Sequence, residues 1–251
     1  MLICQFEITI ASQLRRIMTE DPDEMSIWDH LNELRRRLFT AVIAVVVTSA
    51  ISFLAANYFI QVLTVPVGGL KNLQAITVTE NVGVFMQVSL LGGVILGMPV
   101  IVYELLLFIL PGLTPKEKRW IYIAVPSISL LFLTGVLFSF YIMLPRAIPF
   151  LLGFLAVKTV PRISDYIGFV TNLMFWIGIS FETPLIIFIL AKFKVVSAKQ
   201  LIQYWRYAVV IIAVIAAVVT PTVDPINMSL LMIPLMGLYG LSIILAALAR
   251  R

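Results

Sequence analysis

Six apolar runs restrict this chain more than any other feature. They fall at about 38–56, 82–110, 120–144, 167–191, 207–220 and 226–249, and charge, proline or glycine closes them off. A helix rises about 1.5 Å per residue, so about 20 apolar residues cross the ~30 Å hydrocarbon core of a bilayer. Backbone in that core finds no water, and runs of this length satisfy their hydrogen bonds as helices. Composition agrees: of 251 residues, 61% are hydrophobic and 12% charged, against roughly 45–50% and 25% in soluble domains. The expected fold is an all-α membrane protein of six transmembrane helices, its membrane domain covering residues 25–251.

The first run continues from a helix with a polar flank. Ser26 followed by Asp29 reads as a capping box. Ile27, Leu31, Leu34 and Leu38 form one apolar stripe, with His30, Glu33 and Arg37 on a neighbouring flank. A short amphipathic helix therefore lies at the membrane surface, and Arg35, Arg36 and Arg37 mark where the chain enters the bilayer. Residues 1–24 fall outside this pattern. Their apolar stretch is short, holds Glu7 and lacks a preceding basic region, so it is a poor signal peptide. They read as a disordered extension, or as sequence upstream of a natural start at Met25.

The loops carry uneven charge. Lysines and arginines number five before the first run, three between the second and third, four between the fourth and fifth, and two at the end. The alternate loops hold one, three and none. The positive-inside rule then places both termini in the cytoplasm. The fifth run reaches roughly 21 Å if helical, and the sixth contains Pro234, so short fifth and sixth spans are expected. Short spans thin the local bilayer or shelter against neighbours, which suits a protein that helps something bulky across.

Several chemistries lack support. Cys4 is the lone cysteine and His30 the lone histidine, so neither a disulfide framework nor a zinc site is expected. No P-loop or strand-linked GxGxxG suggests nucleotide chemistry, and no basic patch interleaved with aromatics outside the membrane suggests nucleic acid. No metal or other cofactor is expected.

Four glutamates bear on function. Glu33 among the arginines reads either as an i,i+4 surface pair with Arg37 or as a binding carboxylate. Glu117 follows Pro115 and reads either as a first-turn acid favoured by the helix dipole or as a second carboxylate at the same membrane level. Two such carboxylates suit bidentate capture of guanidinium groups. Glu182 lies deep in the fourth run, where an ionised side chain costs at least ~2.5 kcal/mol. Pro184 beside it frees the Ser180 carbonyl, so Glu182 is either a protonated acid bonded to that turn or a buried polar site facing a helix or a wet hollow. Glu104 lies near a run's cytoplasmic end and snorkels in the plain reading. Gln87, Thr220 and Asn227 are weaker polar points with interhelical bonding as their default.

Together these residues resemble a known family. The run His30-Leu31-Asn32-Glu33-Leu34-Arg35-Arg36-Arg37 is similar to the N-terminal signature of TatC, the multispanning core of the twin-arginine protein translocase. Thr79-Glu80 with Phe85, Phe108 to Leu113 including Pro111, with Glu117-Lys118-Arg119, Phe181-Glu182-Thr183-Pro184, and Thr220-Pro221 with Asp224 follow in the family's order. Ile163-Ser164-Asp165-Tyr166 fits an external loop. The resemblance implies a concave, glove-like bundle that receives folded precursor proteins carrying Arg-Arg signal peptides. It further implies that Glu33 and Glu117 engage the arginine pair, with Phe108 and Arg35 at that site. Glu182, Pro184, Thr220 and Asn227 would form a polar cluster receiving the single helix of TatA- or TatB-type partners. Self-association in a larger receptor complex, a cell-membrane location and transport driven by the protonmotive force also follow. One departure stands out: the family usually carries glutamine where this chain has Glu104.

Two other readings weigh against it. A proton-coupled small-molecule transporter using Glu182 needs ionisable groups facing one another from several spans; only Glu182 is that deep, and the halves show no inverted repeat. An intramembrane enzyme needs a nucleophile and base, and no mid-span histidine, cysteine or aspartate partners Glu182. A non-enzymatic role is expected.

Overall fold

The computed structural model describes residues 27–109, 115–153, 159–192, 194–219 and 225–249. Helix α1 is a single rod, Ile27–Leu63, of 37 residues, about 55 Å long at 1.5 Å per residue. The amphipathic turns and the first span are thus one element, since nothing between Arg37 and Leu63 breaks helical hydrogen bonding. Ser26 of the capping box lies outside the described residues. Helix α2 covers Glu80–Ile109 and continues through Pro99. Helix α3, Pro115–Phe138, passes through a π turn at Ser139–Met143 into α4, Leu144–Gly153. Helix α5 covers Ile163–Lys192, α6 Ala198–Gln203, α7 Trp205–Val219 and α8 Pro225–Ala249. Among the described residues, five helical segments are long and apolar enough to cross a membrane, and α7 is a shorter apolar helix of 15 residues.

Three expectations need correction. The stretch after residue 144, expected as loop, is helical to Gly153. The π turn widens the helix just ahead of Pro145, where that ring would otherwise meet the carbonyl four residues back. Asp165 stands exposed in the first turn of α5 rather than in a loop. The sixth apolar run is not short: α8 has 25 residues and Pro234 does not end it, as prolines in membrane helices are tolerated when neighbours satisfy the freed carbonyl. The basic connector after α5 carries its own short helix, capped reciprocally by Ser197 and Gln200.

Small residues set the closest crossings. Helices α1 and α2 run antiparallel, and Thr48 Oγ1 donates to the Gly93 carbonyl at 2.7 Å. A Cβ on Gly93 would lie 2.6 Å from Ser49 Cα, so only glycine lets the two backbones approach this closely. Helices α3 and α5 cross the same way, where a Cβ on Gly178 would lie 2.6 Å from the Phe132 ring. Phe132, Ile167, Ile177, Val88 and Leu231 are fully buried between the helices.

The end of the bundle away from the arginines is pinned by Glu80, which is buried. Its Oε2 accepts from the Ile76 and Thr77 N–H groups at 2.9 and 3.2 Å. Its Oε1 accepts from Ser164 N at 3.0 Å and Arg162 Nε at 2.9 Å. Gln74 and Arg162 pair as an isolated parallel bridge beside it. Tyr166 Oη donates to the Leu63 carbonyl at 2.8 Å, closing the end of α1.

Candidate functional site

The first turns of α1 and the last turns of α2 form the charged end of the bundle. His30 and Phe108 stack across the two helices, ring centroids 4.6 Å apart and planes inclined by 18°. Deeper in, Glu33 and Glu104 each lie one turn from that stack, and Arg37 lies between their carboxylates. Its Nε donates to Glu33 Oε1 at 2.9 Å and its Nη2 to the same oxygen. Its Nη1 donates to Glu104 Oε2 at 3.2 Å. The side chains of Glu33, Arg37 and Glu104 remain 24%, 23% and 17% exposed. Arg35 and Arg36 point to the exposed side.

The i,i+4 pair of Glu33 with Arg37 is therefore formed, and Glu104 is its third member rather than a snorkelling side chain. Helical spacing reveals the first contact. Nothing in the sequence reveals the second, because 67 residues separate Arg37 from Glu104. Glu117 falls in the first turn of α3, while its side chain and Pro111 lie outside the described residues. The structure thus brings together His30, Glu33 and Phe108 of the sequence-derived set and leaves Glu117 unplaced relative to them.

A second region lies deeper. Glu182 of α5 is 9% exposed, and its Oε1 has no hydrogen-bond partner among the described residues. It stands one turn beyond Gly178, on the stripe that meets Phe132 of α3. Next to it, Phe181 packs on Phe138 at 5.3 Å between centroids, and Pro184 is fully buried. A half-open apolar groove of about 230 Å³ runs between α5, α7 and α8, past Thr183, Ile212 and Leu235. Glu182 does not line it, so the carboxyl faces packed helix rather than that groove. Thr220 and Asp224 lie outside the described residues; Asn227 is in the first turn of α8, its side chain likewise outside.

Among the described residues no group of three or more His, Cys, Asp or Glu could hold a metal ion. Carboxylates at one end engage a guanidinium, and one buried carboxyl sits inside the bundle. These features define a multispanning membrane protein of the all-helical class, with a charged end.

Comparison with known proteins takes the assignment further. The family model "Sec-independent protein translocase protein (TatC)" matches residues 29–234. The chain is 41% identical over 223 residues to the chloroplastic Sec-independent protein translocase protein TATC of Arabidopsis thaliana, covering 87% of this chain and 65% of that protein. It is 39% identical over 234 residues to the Sec-independent protein translocase protein TatC of Aquifex aeolicus, covering 90% and 97%. The crystal structure of a twin-arginine translocase receptor, TatC, superposes with a TM-score of 0.79 at 38% identity, covering 88% of this chain and 100% of that one. The chain spans just under two thirds of the length of the chloroplast relative. It belongs to the TatC family.

Proposed function

We propose that this protein is the receptor subunit of a twin-arginine translocase. It binds the Arg-Arg signal peptides of folded precursors and recruits TatA- and TatB-type single-span partners. The observation that carries the reading is the Glu33 carboxylate, which already engages a guanidinium at the charged end of α1. A planar guanidinium matches a carboxylate through two parallel N–H bonds, and lysine does not. Glu117, in the first turn of α3, would supply the second carboxylate, with Phe108 and Arg35 beside them. Family membership supports the same role.

In this reading α7 serves as a short fifth span, so the chain crosses the cell membrane six times. The excess of Lys and Arg on the N-terminal side places both termini in the cytoplasm. The charged end then meets precursors before export, and Glu80 with its loops faces outward. The groove between α5, α7 and α8 suits a partner helix, and self-association would build the larger receptor. Transport draws on the protonmotive force.

Photo-crosslinking of a signal peptide to the purified protein tests this. An Arg-Arg peptide labels the region of Glu33 and Glu117, a Lys-Lys peptide labels it far less, and Glu33→Ala or Glu117→Ala abolishes the label. Labelling indifferent to the arginines returns both glutamates to helix-end electrostatics.

A further inference from the structure

Arg37 engages two carboxylates but uses one oxygen of each: Oε1 of Glu33 and Oε2 of Glu104. Glu33 Oε2 and Glu104 Oε1 take no bond from it. All three side chains keep partial exposure, so a ligand reaches them, and ion pairs this accessible add little to stability. Within the clasp itself two carboxylates share one guanidinium, while Arg35 and Arg36 stand exposed on the neighbouring turn. With glutamine at position 104, Arg37 and Glu33 would cancel each other and the arginine would repel an incoming cation.

From these contacts we infer that Glu104 is a positioning residue of the arginine site, setting through Arg37 how strongly Glu33 attracts the peptide. Arg37 fixes the orientation of Glu33 by holding one of its oxygens. Glu104 offsets the Arg37 charge, so the other Glu33 oxygen keeps more of its attraction for a peptide with consecutive arginines despite the exposed Arg35 and Arg36. The His30–Phe108 stack one turn away keeps α1 and α2 in the register that this clasp requires. The inference rests on the receptor reading above and deepens it.

Fluorescence anisotropy tests it on the full-length protein in detergent. Labelled Arg-Arg and Lys-Lys peptides are titrated over a range of salt against wild type, Glu33→Gln, Glu104→Gln and Glu104→Asp. Glu104→Gln keeps an acceptor for Arg37, so the thermal unfolding midpoint stays at the wild-type value. Arg-Arg affinity falls about tenfold and its salt dependence flattens, because one attracting charge is gone. Lys-Lys binding, which carries the same charge, falls by a similar factor from its lower starting affinity, and Glu104→Asp, which returns the charge, recovers most of the Arg-Arg affinity. Wild-type affinity in Glu104→Gln overturns the inference, as does a loss that accompanies a lowered midpoint and is not recovered by aspartate. If wild type and Glu33→Gln bind Arg-Arg and Lys-Lys alike, the receptor reading itself fails.

Discussion

Arg162 donates its Nε to Glu80 Oε1 at 2.9 Å, joining the start of α5 to the start of α2 across 82 residues of sequence. The guanidinium is only one of several donors on that carboxylate. Main-chain N–H groups of Ile76, Thr77 and Ser164 fill the rest, so the loops on either side share one buried acceptor. Removing it strands several donors at once.

Glu80→Gln therefore lowers the unfolding midpoint in detergent, although the side chain keeps its size. An amide turns an NH2 group toward donors that need an acceptor. Glu80→Ala lowers it at least as much. Differential scanning fluorimetry reads both, and an unchanged midpoint in Glu80→Gln would show that the loops are held by other contacts.

The α1–α2 crossing yields a steric prediction. Gly93→Ala places a methyl against Ser49 backbone as well as its hydroxyl, and overpacking of this kind costs about 1–3 kcal/mol. Ser49→Gly does not rescue it, because Ser49 Cα itself lies 2.6 Å from the new carbon. Gly83→Ala on the same helix meets nothing within 4 Å, and it leaves stability unchanged or raises it by about 0.5–1 kcal/mol. Equal effects at the two glycines would refute the close-approach account.

The stack of His30 on Phe108 is testable as a coupled pair. A stacked aromatic pair contributes about 0.5–1.5 kcal/mol beyond its buried area. Phe108→Leu and His30→Ala should each weaken Arg-Arg peptide binding, and the double variant should be no weaker than the worse single one. Strict additivity of the two losses would mean that the rings act separately.

What the sequence made legible follows from what is local. Helical spacing exposed the apolar stripe of α1 and the Glu33–Arg37 pair, since both are local, lying within about three turns and one turn of helix. The long helices were legible because lipid demands unbroken apolar runs. The Arg37–Glu104 contact and the donors around Glu80 depend on which helices meet, and no periodicity encodes that. The helix at Leu144–Gly153 was missed because prolines signal loops in water, whereas here a π turn precedes Pro145 and the helix continues through Pro149. Glu182 was legible as an anomaly; its packing against the α3 side of the bundle rather than in the apolar groove was not.

Glu182 supports the last prediction. A buried carboxyl oxygen with no partner among the described residues carries its desolvation cost without a compensating bond, on the order of 1–3 kcal/mol. Glu182→Leu removes that cost at similar volume, so the variant should unfold at a higher temperature than wild type. Function should move the other way: a residue kept at such expense inside the membrane is retained for what it does. In inverted vesicles, Glu182→Leu should lose transport while still binding Arg-Arg peptide, because the arginine site lies at the bundle end and Glu182 does not touch it. Glu182→Gln separates charge from hydrogen bonding: transport retained in Gln assigns the role to a polar contact, and transport lost assigns it to the ionisable proton. A lower midpoint in Glu182→Leu would overturn the cost argument, since it would mean the carboxyl is satisfied by a partner that the leucine cannot replace.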